Sequence, residues 1–362
     1  MNLEFNLEEY LSNGVENIIK GAVKASLKNP KESAFIAKFM LEIRKSRKIR
    51  QKQEAAGEHI PPFLIASITN SCNLHCKGCY ARANKSCTDK GTDNQLTEKE
   101  WDFIFKEAGE IGISFILLAG GEPMLRKEVI QTAAKYKNIV FPMFTNGTML
   151  DGDYITLLNH SRNLIPVFSI EGDSLTTDER RGAGIYSKLL MDMNEMKNRG
   201  ILYGVSITVN KENLGEVTEE SFISNLYTLG CKVIFYVEYV PVTAETADIA
   251  PSEEERLYLE QQLLCLRKNY DDMIFISFPG DEKSSGGCLA AGRGFFHINY
   301  QGGVEPCPFS PYSDINIKTV TLKEALHSPF FQKLRNNNIL SGEHHGGCIL
   351  FEKKDIVETL IN

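Results

Sequence analysis

Between Phe63 and Val240 the chain alternates short apolar runs with amphipathic stretches, and this pattern constrains its fold more than any other feature. The apolar runs are Phe63–Thr69, Ser114–Ala119, Ile139–Thr145, Leu164–Ile170, Ile201–Val209 and Lys232–Val240. Between them lie stretches of helical periodicity such as Glu98–Ile111, Arg126–Lys137, Tyr186–Arg199 and Glu216–Leu229. Strands alternating with helices predict βαβ units and a parallel sheet. Six such repeats over about 180 residues fit a partial (β/α)6 TIM-like barrel better than a full eightfold one, which needs ~250. The fold class is therefore α/β.

The ends of the predicted strands carry the unusual residues. In α/β barrels the chemistry sits where the strands end. Cys72, Cys76 and Cys79 follow the first strand, Gly120-Gly121-Glu122-Pro123 the second, Asn146-Gly147-Thr148 the third, and Ser169 to Glu171 close the fourth. Three cysteines at such short spacing can curl their thiolates around one metal centre and leave one position without a local ligand. A zinc site is an alternative, and would need His75 to complete four ligands. A disulfide suits secreted chains, and nothing in Met1-Asn2-Leu3-Glu4 has the layout of a signal peptide. The paired glycines let backbone approach a ligand closely.

The spacing C-x3-C-x2-C followed by the aromatic Tyr80 resembles the signature of radical S-adenosylmethionine (SAM) enzymes. The resemblance covers roughly residues 60–245. It implies that Cys72, Cys76 and Cys79 hold a [4Fe–4S] cluster whose open iron is exchangeable and is chelated by SAM. It also implies that the reduced cluster cleaves SAM to a 5′-deoxyadenosyl radical, which abstracts hydrogen from a substrate. Gly120, Gly121, Glu122 and Pro123 match the element that binds the methionine amino group. Ser169 and Glu171 resemble ribose-binding positions, and Ser206 a position that meets the methionine carboxylate. Arg180 and Arg181 resemble a segment near the SAM site, and Tyr80 and Asn146 complete the implied cofactor set.

Residues 1–58 read as a helical N-terminal region, with a break at Asn29-Pro30. Its basic run, Arg44, Lys45, Arg47, Lys48, Arg50 and Lys52, is either a solvated face or a contact for an acidic partner. Residues 59–245 are the expected barrel core, and 246–362 a small C-terminal α+β iron–sulfur domain. In that last segment Gly302 follows Cys288 after thirteen residues and Cys307 completes G-x4-C. This resembles the opening of SPASM and twitch domains, with Phe295–Tyr300 and Gly303–Pro306 as hairpin arms. It implies an auxiliary Fe–S cluster on Cys288, Cys307 and Cys348. The further cysteine set of a full SPASM domain is missing between Cys307 and Cys348. One cluster is then expected, its fourth ligand being His344, His345, a substrate atom or solvent. Cys87, Cys231 and Cys265 read as structural.

The resemblance implies a peptide or protein substrate, with a small molecule such as a tetrapyrrole as the alternative. It also implies an electron donor such as flavodoxin or ferredoxin. A reading of another class is a non-catalytic Fe–S carrier or a zinc-stapled interaction protein. The net charge of -7 argues against nucleic acid, and no apolar run approaches the ~20 residues of a membrane span. A cytoplasmic enzyme is expected.

Overall fold

The computed structural model describes residues 7–361 except 28, 93, 242, 243 and 341–346. A single nine-stranded sheet organises it, in the order β7-β6-β5-β4-β3-β2-β1-β8-β9. The six expected strands are β1 (Phe63–Thr69), β2 (Phe115–Gly120), β3 (Phe141–Thr145), β4 (Leu164–Ser169), β5 (Gly204–Val209) and β6 (Val233–Glu238). All pair in parallel with their sequence neighbours. The sheet does not close, since β7 and β9 remain its edges. It is nevertheless curved: Phe144 on β3 and Phe235 on β6, with two strands between them, bring their ring centroids to 5.1 Å. The architecture is a partial, open barrel.

Three strands extend the expected six. β7 (Ile274–Phe278) pairs in parallel with β6, with Val233 opposite Ile274. The helix Glu253–Asn269 supplies the crossover, started by a capping box between Ser252 and Glu255. β8 (His297–Ile298) and β9 (Val304–Glu305) form the expected hairpin, but β8 also pairs in parallel with β1, Ile65 opposite His297. The sequence boundary expected at 245/246 thus falls between two neighbouring strands of one sheet. Periodicity cannot reveal this, because strand order is a property of the sheet and not of the segment.

The N-terminal helices Leu7–Ser26 and Pro30–Ala55 are joined at Asn29, whose side chain accepts from the Lys31 and Glu32 amides. Val15, Ile19, Phe39 and Ile43 pack on Phe115 and Val140, at the start of the sheet. The helical pair therefore covers the end opposite the cysteines. The basic run divides accordingly. Arg50 is buried and donates to Gly112 O at 2.8 Å, and Arg47 pairs with Glu16. Arg44, Lys45 and Lys48 are exposed, so the run is partly structural.

Phe39 is almost fully buried and meets Phe115 edge-on, with ring centroids 5.8 Å apart. Phe39→Ala should therefore lower stability by about 3–5 kcal/mol, as measured by chemical denaturation of cluster-free protein.

Candidate active site

The loop leaving β1 is fastened before its cysteines begin. Thr88 N donates to Asn70 O at 2.7 Å, and Cys72 N donates to Thr88 O at 3.0 Å. The Arg82 guanidinium then reaches back, donating to Leu74 O at 2.7 Å and Cys72 O at 3.2 Å. Gly78 has φ +65°, and a Cβ there would lie 2.7 Å from Tyr239 Oη. Cys72, Cys76 and Cys79 are unbridged and partly exposed. His75, the zinc alternative's fourth ligand, turns outward to Asp89 at 2.9 Å.

The loop's electrostatics suit thiolates, the form that binds metal. The nearby Cys87 thiol, helped by Arg82 and Arg181 against the cost of burial, holds Cys72 below the usual thiol range. Burial pushes Cys76 up, opposed by Arg181, whose Nη1 lies 4.0 Å from Cys76 Sγ. Cys87, which read as structural in the sequence, contributes to lowering the first cysteine of the triplet.

At the end of β2 the paired glycines meet backbone. A Cβ on Gly120 would lie 2.2 Å from Thr69 O, and one on Gly121 would lie 2.0 Å from Ser71 O. Glu122 N donates to Ser71 O at 2.7 Å. The Glu122 carboxylate points inward, accepting from Met124 N (3.0 Å), Thr145 Oγ1 (2.7 Å) and Asn146 N (2.8 Å). Burial pushes it up to about 7 against those bonds. Pro123 opens the short turn Pro123–Leu125. Asn146 in turn donates to Asn73 Oδ1 at 3.0 Å, which ties the end of β3 to the cysteine loop.

Ser169 and Ser206 are register partners on β4 and β5. Glu171 is buried and takes ion pairs from Arg181 and, at 3.2 Å, from Arg180. Its Oε2 also accepts from Thr208 N at 3.0 Å, so arginines occupy the carboxylate that the sequence assigned to a ribose. The same helix, Ser174–Arg181, supports the cysteine loop, with Lys77 N donating to Arg180 O at 2.9 Å. Tyr239, just past β6, is a residue that sequence reading missed. It is 4% exposed, and its hydroxyl has no partner among the described residues.

The C-terminal hairpin meets this loop directly. Tyr80 and Phe309 stand with ring centroids 4.6 Å apart. Ser67, His297 and Glu305 form a buried chain, with 2.7 Å from Ser67 Oγ to His297 Nε2 and 2.7 Å from His297 Nδ1 to Glu305 Oε2. They line a cavity of about 190 Å³ together with Tyr80, Gly120 and Pro308. Cys288 and Cys307 are buried and Cys348 nearly so, and burial pushes all three thiols up. Neighbouring thiols add to the rise at Cys288 and Cys307. His344 and His345 lie outside the described residues.

Comparison with known proteins decides the family. The model of the Radical SAM superfamily matches residues 66–220. Residues 66–220 are a radical SAM domain. The chain is 27% identical over 326 residues to an AdoMet-dependent heme synthase of Methanosarcina barkeri, covering 82% of this chain and 90% of the relative. It is also 27% identical to the sporulation killing factor maturation protein SkfB of Bacillus subtilis, over 44% of this chain and 39% of the relative. The fold resembles that of Streptococcus suis SuiB bound to its precursor peptide SuiA, with a TM-score of 0.67 at 16% identity, over 84% of this chain and 76% of that one.

Such a domain implies a [4Fe–4S] cluster and SAM as its cofactors. The cysteine loop fits such a cluster: three unbridged thiols, a lowered Cys72 and nearby guanidiniums. No three described Cys, His, Asp or Glu side chains converge on one point as a single ion requires. A four-iron cluster takes one thiolate per iron and has no such need.

Two outcomes follow for the loop's neighbours. Gly121→Ala must displace the Ser71 carbonyl, so reconstituted iron should fall by about half or more, as read by iron analysis, whereas Gly14→Ala, which meets nothing within 4 Å, should leave it unchanged. Glu122 binds its proton more tightly folded than unfolded, since its value rises from an ordinary 4.5 to about 7. Its contribution to stability is therefore full below about 4.5 and lost as pH rises through about 7. Denaturation across that window should show stability falling with pH, and Glu122→Gln should flatten the fall.

Proposed function

We propose that this chain is a maturase-type radical SAM enzyme acting on a peptide or protein side chain. Cys72, Cys76 and Cys79 hold the cluster that binds SAM, and Cys288, Cys307 and Cys348 hold an auxiliary cluster in a twitch-like unit spanning 246–362. When bound, the first cluster supplies the electron that cleaves SAM to the 5′-deoxyadenosyl radical.

The chain's own residues do the rest. Arg82 and Arg181 neutralise the thiolate loop, and Asn73, Asn146 and Glu122 fix it against the sheet. Gly120 and Gly121 let the Thr69 and Ser71 carbonyls pass closely, which shapes the strand ends that would hold SAM's methionine end. Tyr239 offers a buried hydroxyl beside Gly78. Ser169 and Ser206 face the cofactor from adjacent strands. Glu171 acts through its arginines, positioning Arg181 beside Cys76.

The observation that carries the substrate class is the cavity beside Tyr80. At about 190 Å³ it is smaller than the roughly 300–1,000 Å³ typical of small-molecule pockets. That size suits one side chain with its backbone left outside. The likeness to SuiB, solved with a precursor peptide, points the same way. A tetrapyrrole is the second reading, favoured by the heme synthase match along most of both chains. A low-potential flavodoxin or ferredoxin is the proposed electron source.

Anaerobically reconstituted protein should carry roughly eight irons, the sum of two four-iron clusters, and form 5′-deoxyadenosine from SAM under reduction. The triple variant Cys72/Cys76/Cys79→Ala should lose about half its iron and all cleavage. Continued cleavage in that variant would defeat the assignment. Titration with an iron porphyrin should leave the Soret band unchanged, and a saturable shift would move the choice to the tetrapyrrole.

A further inference from the structure

Ser67, His297 and Glu305 come from three strands, β1, β8 and β9, and all three line the cavity beside Tyr80. All three are buried. A carboxylate only accepts, so His297 Nδ1, 2.7 Å from Glu305 Oε2, carries a proton. In the neutral ring Nε2 is then an acceptor, and Ser67 Oγ donates to it at 2.7 Å. Asn299 Nδ2 donates to the other Glu305 oxygen at 2.5 Å, so both carboxylate oxygens are held. Ser67 Oγ, having donated to the ring, keeps lone pairs with which to accept from an occupant of the cavity.

Pinning a hairpin to β1 needs no such groups. Apolar contact would do it without the cost of burying a carboxylate and an imidazole. Nor does a pin need to reach a cavity, as these three residues do. A hydroxyl bonded to an imidazole, itself oriented by a carboxylate, is the arrangement that moves a proton from one side of the ring's partner to the ring.

We propose that His297 is a base that takes a proton, through Ser67, from a weakly acidic side chain seated in the cavity, a thiol or a phenol. This rests on the reading of the cavity as the seat of a substrate side chain. The S–H or O–H proton of the substrate passes to Ser67 Oγ as the Ser67 proton passes to His297 Nε2, and no electron moves. The substrate is left as thiolate or phenolate, and Glu305, a positioning residue, balances the imidazolium. Tyr80, Lys85 and Tyr300 are the other titratable groups lining the cavity. Of these the Lys85 ammonium favours the anion left behind. Thiols at about 8.5 and phenols at about 10 lie within reach of an imidazole so assisted, and aliphatic alcohols do not.

The test uses the full-length protein, grown with 15N-histidine, reconstituted and held oxidised. It is titrated with the N-acetyl methylamides of cysteine and tyrosine, and with those of serine and leucine as controls. The His297 ring signals are those lost in His297→Gln or, should that variant not fold, those displaced in Ser67→Ala. We expect one of the two acidic probes to move the Nε2 signal saturably from the lone-pair to the protonated range, which tells thiol from phenol, and the controls to leave it in place. Glu305→Gln should bind the same probe without that movement, and movement that persists there overturns the role given to Glu305. Saturable binding of the acidic probes with Nε2 unmoved, or equal movement with the leucine control, overturns His297 as the base and leaves the side-chain seat standing. Ring signals that none of the four probes perturbs remove the seat and the base together.

Discussion

The backbone contact between Ser71 and Gly121 sets the geometry on which the rest of the site depends. Where β1 and β2 end, the chains pass so closely that no Cβ fits at Gly120 or Gly121, and Glu122 N seals the contact at 2.7 Å on Ser71 O. From there Glu122 reaches under β3 to Thr145 and Asn146, and Asn146 returns to Asn73 beside the first cysteine. The result is a closed ring of hydrogen bonds through the ends of three strands. A buried carboxylate with three donors holds such a ring rigidly, because each bond lost would leave a polar group without water.

A second set of charges supports the cysteine loop from the other side. Glu171, buried under β4, holds Arg180 and Arg181, and Arg181 faces Cys76. Removing one member of a buried pair costs about 3–5 kcal/mol, so the guanidinium is fixed in place as much by its partner as by its own packing. Positive charge is thereby held beside thiols that must ionise to bind iron.

Much of this was legible in the sequence. The cysteine spacing, the strand–helix alternation and the polar strand ends are local properties, and local properties survive in a string of letters. The glycines read as letting backbone approach a ligand; the atoms they meet in the structure are the Thr69 and Ser71 carbonyls. What stayed hidden depends on contacts through space. Arg82, Cys87 and Tyr239 carry no motif, and only the fold brings them to the loop. The inward turn of Glu122 and the capture of Glu171 by arginines are choices of side-chain direction that no spacing encodes. β7 lies within 246–362, the segment expected to form a separate domain, because segment boundaries read from a sequence do not say where the chain goes next.

The pairing of β8 with β1 has a consequence for how the molecule is made. Ser67 and His297, joined at 2.7 Å, are separated by 230 residues. As the chain emerges during synthesis, β2 can cover one side of β1 early, but the other side waits for the hairpin. During that interval β1 presents a bare edge, directly beside the cysteine loop, to any other extended chain. Contacts of such long sequence separation form late and slowly. The strand that carries the cysteines is thus among the first made and the last to be fully protected, and the nascent protein is most vulnerable to misassembly at the element on which its chemistry depends.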